Sequence, residues 1–219
     1  MSSHLSKDLD AALWSLADDS RWRSMLAENV YWASCEAFVQ TTLLWAFNSR
    51  SKAFVADRER RLRKEPTWKP DLAIMSRDDH DAWWGARRAG RCDSKTLRRL
   101  ARGIVELKVA WTPGNATGSA VLTQKAKTVR DDVDGLEAAR TEAPNSEMYM
   151  GVIVSGFHKT EGAKALADSL VIIRDALPKA IRTAATTIPL LDGFESAAWK
   201  DILENGKKGY SSLLWIPMG

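Results

Sequence analysis

The order of helix-like and strand-like segments along the chain predicts an α/β fold. Apolar residues recur at helical spacing in the first fifth of the chain, three short strand-like runs follow, and a charged amphipathic helix then precedes another buried strand. A helix between two strands commonly forms a crossover in a layered α/β structure. We therefore expect a central sheet flanked by helices, with extra N- and C-terminal helices, and residues 1–219 are expected to form a single domain.

The N-terminal segment predicts two helices. Residues 5–17 form a short amphipathic piece, and a longer helix is predicted over 21–47 because apolar side chains recur there every three or four positions. Ser20 is the expected N-cap of the longer helix, since a serine hydroxyl can accept a hydrogen bond from a free N–H of the first turn.

Three runs before the crossover helix favour strands. Residues 52–62 form a possible strand, and the prolines at 66 and 70 exclude a helix directly after it. The run DLAIMS over 71–76 is short and apolar, and GIVELKVAW over 103–111 is the strongest strand pattern in the chain.

The second half of the chain continues the alternation. A helix is predicted over 123–140, followed by a buried strand over 147–157 and a further amphipathic helix over 162–176. Pro178 is suited to the first turn of another helix, and the run over 210–217 predicts a terminal strand.

The charge is concentrated in the middle of the chain. Residues 50–108 contain 17 Lys and Arg against 9 Asp and Glu, a net charge of +8. The whole chain has a net charge of +4, so the residues outside this segment have a net charge of −4. Such a basic segment suits a polyanionic partner, although a solvated charged face would give the same count.

Composition also limits the kinds of site and compartment. Two cysteines and three scattered histidines are too few and too dispersed for a cysteine or histidine metal cage. No apolar run of about 18 residues occurs, and the N-terminus turns polar where a secretory signal would be apolar. We expect a cytoplasmic protein with no membrane segment.

An acid and a base interrupt the strongest strand. Because side chains alternate along a strand, Glu106 and Lys108 share one face, and the other face carries apolar residues. An acid-x-Lys triplet is a weak signal by itself, since an exposed pair of this kind contributes only about 0 to 1 kcal/mol. Residues 93–95 match the same pattern in a polar segment.

A second short motif strengthens this signal. KPDLAIM places Pro70 and Asp71 at the start of the preceding strand, about 35 residues before Glu106. Together, Pro70-Asp71 and Glu106-Leu107-Lys108 resemble the paired half-motifs of the PD-(D/E)XK nuclease superfamily. The resemblance covers about residues 21–157. It implies a restriction-endonuclease-like core of helix, three strands, helix and strand, αβββαβ, with a mixed central sheet.

The resemblance also implies a chemistry. Asp71 and Glu106, helped by the Leu107 carbonyl, would be the ligands of Mg²⁺, for which Mn²⁺ could substitute. Lys108 would orient the attacking water and stabilise developing negative charge. The implied activity is hydrolysis of DNA phosphodiester bonds by a restriction or phage-defence endonuclease. The expected substrate is double-stranded DNA, for which a homodimer would supply one site for each strand. Single-strand nicking, RNA as substrate and a place in a larger transposition or repair complex remain open.

The family core commonly adds an acid from its first helix and a polar residue from its crossover helix. Glu36 is favoured as the catalytic acid because its neighbours are apolar, while Glu28 remains an alternative. At the start of the crossover helix, Gln124, Lys125 and Lys127 are candidates, and the sequence leaves open which of them faces the site.

A basic insertion over about 76–103 separates the two half-motifs. Its Lys and Arg residues are expected to contact DNA phosphates. They are Arg87, Arg88, Arg91, Lys95, Arg98, Arg99 and Arg102. Trp83 and Trp84 could stack on bases or wedge into a groove. Alternatively, the insertion is a dimer arm, or a charged helix whose tryptophans pack on the core. The run DDHD around His80 predicts a loop or helix start rather than a metal site.

Two further classes of function remain possible from the sequence. A non-catalytic nucleic-acid-binding or assembly protein could keep the fold and use the basic insertion without needing both carboxylates. A protein unrelated to nucleases is the third possibility, and the absence of a glycine-rich phosphate loop or nucleophile elbow gives it no positive support.

Overall fold

The computed structural model describes residues 4–31, 35–58, 70–90, 96, 99–112, 118–195 and 205–218 of the chain. The helices are α1 (His4–Asp18), α2 (Ser20–Tyr31), α3 (Cys35–Arg50), α4 (Arg77–Arg88), α5 (Gly118–Ala139), α6 (Gly162–Ala176) and α7 (Lys179–Arg182). The strands are β1 (Phe54–Arg58), β2 (Leu72–Ser76), β3 (Gly103–Trp111), β4 (Glu147–His158), β5 (Thr186–Phe194) and β6 (Lys208–Pro217).

The six strands form one mixed sheet in the order β1-β2-β3-β4-β6-β5. Strands β3 and β4 are parallel and are joined through α5, whereas the other neighbouring strands are antiparallel. A parallel pair needs a long connection, which a helix such as α5 provides. The predicted α/β class, with a mixed sheet flanked by helices, is confirmed.

Helices cover both faces of the sheet. Helices α1, α2 and α3 pack on one face, where they meet Val105 and Leu107 of β3. Helix α5 and helix α6 pack on the other face, where Ile104 and Ala110 are buried. Strand β4 is buried on both faces, which explains its nearly continuous apolar sequence. The alternation predicted for β3 therefore places Glu106 and Lys108 on the α5 side.

The predicted long helix over 21–47 is wrong. The chain instead forms α2 and α3, and residues 32–34 lie outside the described residues. The rings of Trp22 and Phe38 stack with their centroids 5.9 Å apart. In one continuous helix these two residues would lie about 24 Å apart along the axis. Packing of α2 against α3 therefore replaces the straight helix that periodicity alone predicts.

The helix predicted to begin at Pro178 is present as α7, with Pro178 at its N-cap, but it is a single turn. The chain then enters the edge strand β5, which was not predicted. Pro189 lies within β5, and the pairing register with β6 shifts between Pro189 and Leu191. Proline lacks the N–H that a central strand needs, so an edge position beside a bulge accommodates it.

Membrane insertion through a helix has no candidate in the described part of the chain. No helix there combines the length and the apolar character that crossing a bilayer requires.

Candidate active site

The candidate site lies where β2 and β3 separate. Their pairing extends only from Ile74 opposite Gly103 to Leu72 opposite Val105, whereas β3 continues to Trp111. The second half of β3 therefore has an edge that β2 does not cover. Open strand edges present unpaired backbone groups to other partners.

Asp71 occupies the start of this open edge. Its Oδ2 accepts a hydrogen bond of 2.7 Å from the backbone N–H of Leu107. A carboxylate thus replaces the strand partner that β2 no longer supplies. Since the N–H and C=O of one residue point to the same side of a strand, the Leu107 carbonyl also faces this edge.

Gln40 of α3 holds Asp71 from the other side. Its Nε2 donates to the Asp71 carbonyl oxygen at 2.7 Å and to Asp71 Oδ1 at 3.2 Å. Arg58 of β1 in turn donates from Nη2 to Gln40 Oε1. Burial raises the pKa of Asp71, and the Leu107 hydrogen bond and the charges of Lys108 and Arg58 oppose this rise. Sequence reasoning missed Gln40, although its position one helical turn after Glu36 is a usable signal.

We expect Gln40→Leu to loosen Asp71. The substitution leaves polar groups of Asp71 and Arg58 without their partner, so the free energy of unfolding should fall by about 1–3 kcal/mol. Substitution of a residue that hydrogen-bonds to a metal ligand typically weakens metal affinity by about 10- to 100-fold. Calorimetric titration with Mn²⁺ and urea unfolding measure the two effects. Gln124→Leu on exposed α5 surface is the matched control, and unchanged Mn²⁺ affinity in Gln40→Leu would contradict the positioning role.

Glu106 and Lys108 form a close pair beside Asp71. Lys108 Nζ lies 2.6 Å from Glu106 Oε1, and Glu106 is only 5% exposed. Burial raises the pKa of Glu106 to about 7; the Lys108 hydrogen bond lowers this pKa, and the Asp71 charge adds to the rise. Burial alone would lower the pKa of Lys108, but Glu106 together with the other nearby carboxylates raises it. The lysine is therefore held as an ammonium among acids.

Asp132 of α5 is a further acid that sequence reasoning missed. Its Oδ2 lies 3.8 Å from Lys108 Nζ and is buried without a hydrogen-bond partner among the described residues. Burial raises the pKa of Asp132, and the Lys108 charge lowers it. Asp131 and Asp134 beside it are exposed. Asp132 borders the apolar stripe of α5, and this helical position is the signal that distinguishes it from the other acids.

The two candidate helix acids occupy different places. Glu36 lies in the first turn of α3 rather than in the middle of a longer helix, and it is half-buried. Burial raises its pKa, and the charge of Asp71 adds to this rise while Lys108 and Lys125 oppose it. Glu28 is exposed on α2. The structure therefore brings Glu36, and not Glu28, into the electrostatic neighbourhood of Asp71.

A cavity of about 340 Å³ adjoins this cluster between α3 and α5. It is lined by Glu36, Ala37, Lys108, Val109, Trp111, Lys125, Thr128 and Val129. Among the three polar candidates at the start of α5, Lys125 contributes to the lining, whereas Gln124 and Lys127 are exposed outside it. Lys108 belongs both to the cavity and to the carboxylate cluster, so the two form one continuous site.

The donor set suits a hard divalent cation held partly by water. Glu106 Oε2 is buried and has no hydrogen-bond partner in the part of the chain that the structure describes. In those same residues, no three His, Cys, Asp or Glu side chains approach closely enough to hold an ion by themselves. Mg²⁺ keeps several waters and is commonly bound through one or two carboxylates. Asp71, Glu106 and the Leu107 carbonyl therefore fit Mg²⁺ better than a metal that needs an all-protein cage.

The basic insertion is only partly described. Arg88, Arg99 and Arg102 are exposed. Arg91, Lys95 and Arg98 lie outside the described residues. The Arg87 guanidinium lies 4.9 Å from the ring centroid of Trp83 and 5.1 Å from that of Trp84. Thr96, Arg99 and Leu100 are helical.

Trp83 packs on the core rather than standing free for base stacking. It is 3% exposed and contacts Ala73 and Met75 of β2. The alternative in which the insertion tryptophans pack on the protein is therefore confirmed for Trp83. The run around His80 belongs to α4, whose N-cap Ser76 accepts a hydrogen bond from the N–H of Asp79, so the predicted helix start is also confirmed.

No protein-family model, curated protein or solved structure matches this chain.

Proposed function

We propose that this chain is a divalent-metal-dependent nuclease with the restriction-endonuclease-like core of the PD-(D/E)XK superfamily. The observation that carries the proposal is the hydrogen bond from the Leu107 N–H to the Asp71 carboxylate, directly beside buried Glu106 and its partner Lys108. A structural ion pair on a sheet needs no aspartate brought in from the neighbouring strand. The order α3, β1, β2, β3, α5 and β4 agrees with that core, with α4 inserted before β3.

Each residue has a defined part in the proposed hydrolysis. Asp71, Glu106 and the Leu107 carbonyl would hold the ion, which when bound neutralises phosphoryl charge and lowers the pKa of water. Lys108 places an ammonium at the meeting point of the carboxylates and the cavity, where it can orient water and stabilise negative charge. Glu36 faces the same cavity and can accept a hydrogen bond from water or from a substrate amino group.

DNA is the proposed substrate, and the exposed arginines of the insertion support contact with its phosphates. A homodimer would be required for coordinated cutting of both strands of a duplex. A function in restriction or phage defence would fit such an activity.

The test uses supercoiled plasmid, circular single-stranded DNA and RNA, each incubated with purified protein in Mg²⁺ or Mn²⁺, with and without chelator. We expect chelator-sensitive cutting that Asp71→Asn abolishes. Nicked circles indicate cutting of one strand, and linear plasmid indicates cutting of both. Cutting that persists in Asp71→Asn, or no cutting of either DNA or of RNA, would overturn the proposal.

A non-catalytic nucleic-acid-binding protein is the second candidate. The 2.6 Å bond between Lys108 and Glu106 favours it, because the same bond would serve a purely structural ion pair. This candidate predicts salt-sensitive DNA binding without cleavage, weakened by Arg99→Ala and Arg102→Ala and unaffected by Asp71→Asn.

A further inference from the structure

The cavity beside Lys108 has the chemistry of a nucleotide site. The residues that line it include aromatic Trp111, aliphatic Val109 and Val129, and basic Lys108 and Lys125. A planar apolar group can stack on an indole, and a phosphate can pair with a lysine. A nucleotide carries both groups in one molecule, whereas a purely apolar ligand would offer no anionic partner to the two lysines.

The dimensions of the cavity limit how the substrate can enter. The cavity is open to solvent on one side, and its volume of about 340 Å³, at the small end of ligand-binding pockets, is enough for one nucleotide. Helix α3 contributes Glu36 to one wall, and helix α5 contributes Lys125 to the other. A base that enters the cavity between these two helices is unpaired at that point.

The cavity and the carboxylate cluster share a single ammonium. Lys108 Nζ lies 2.6 Å from Glu106 Oε1, and the same side chain lines the cavity. Val109 is two residues beyond Leu107, so its N–H and C=O also point to the open edge of β3, where they can bond to a base. Trp111 and Lys108 point to opposite faces of β3 but line the same cavity, so a nucleotide bound there can contact both residues next to the proposed metal ligands.

From these observations we propose that the cavity binds one unpaired nucleotide adjacent to the scissile phosphate, so that the substrate is single-stranded or locally opened DNA. This inference rests on the proposed nuclease function for its biological meaning, but it concerns binding and can be tested without catalysis. Among the substrates that the sequence leaves open, it selects DNA that is unpaired at the site.

The experiment measures fluorescence anisotropy of the full chain in chelator with a labelled 15-nucleotide oligonucleotide and with its blunt duplex. We expect the single strand to bind at least about tenfold more tightly, and Trp111→Leu to weaken single-strand binding about tenfold. Trp111→Phe, which restores an aromatic face, should recover most of this loss. Melting temperatures verify that both variants remain folded.

Lysine variants supply a test that leaves the core intact. Lys125→Ala should weaken single-strand binding and reduce its salt slope by about one unit, whereas Lys127→Ala, on exposed α5 surface, should do neither. Equal affinity for single strand and duplex, or Trp111→Leu binding like the natural chain, would overturn the inference. If the oligonucleotide binds as expected but no DNA or RNA is cut, the cavity assignment stands and the nuclease proposal fails. If duplex is cut and Trp111→Leu cuts it equally well, the nuclease proposal stands and the cavity assignment fails.

Discussion

Lys108→Met is expected to reduce the rate of metal-dependent DNA cleavage by about 10²- to 10³-fold, the range typical for removal of one group that stabilises transition-state charge. Methionine keeps the length of the aliphatic chain and removes only the ammonium, which lies 2.6 Å from Glu106 Oε1 and 3.8 Å from Asp132 Oδ2. Rates are measured under single-turnover conditions with saturating circular single-stranded DNA, so that weaker binding does not contribute.

The matched control for this variant is Lys127→Met, which removes an exposed ammonium from α5. Calorimetric titration with Mn²⁺ should still show binding to Lys108→Met, because the proposed ligands remain. A cleavage rate within about threefold of the natural chain would exclude a catalytic part for Lys108 and would favour a structural ion pair. Lys108→Arg is expected to restore little activity, since a guanidinium differs from an ammonium in shape and hydrogen-bonding geometry.

In the presence of chelator, the natural chain is expected to lose stability as the pH rises. Glu106→Gln is expected to remove most of this loss. The pKa of Glu106 is raised from 4.5 to about 7 in the folded protein. The folded chain therefore binds the proton more tightly than the unfolded chain, and stability falls as the pH rises from the unfolded value to the folded value. When the pH is raised from 5 to 8, ionisation of Glu106 should lower the free energy of unfolding by about 2–3 kcal/mol. Glutamine carries no charge and avoids this cost.

Urea unfolding of both proteins at the two pH values measures the effect, with Glu28→Gln on exposed α2 surface as the control. If the natural chain and Glu106→Gln lose the same stability, the carboxylate is not the buried acid that the structure indicates. Mn²⁺ should restore stability at pH 8 by about 2.7 kcal/mol at a hundredfold excess over its dissociation constant, and should do so much less in Glu106→Gln.

The strands that carry the site were predictable from local sequence. In β3, the alternation of Leu107 and Val109 with Glu106 and Lys108 follows from the geometry of any strand, so the face of each side chain was determined without the fold. The position of Asp71 at the start of β2 was likewise visible, because Pro70 marks the strand boundary.

Other features depended on contacts between elements distant in sequence. The break between α2 and α3 follows from their packing through Trp22 and Phe38, and it moves Glu36 from mid-helix to a first turn. The edge position of β5 could not be read from a segment containing Pro189, because the sequence does not reveal which strands lie at the edge.

By itself, then, the sequence determined the α/β class, the faces of β3 and the pairing of two half-motifs, because these depend on residue periodicity and on local backbone restrictions. The tertiary structure decided which other side chains meet that pair. Gln40 from α3 and Asp132 from α5 reach the site through the angles at which two helices pack on opposite faces of the sheet. Those angles are set by the side chains of both partners together, so no single segment encodes them.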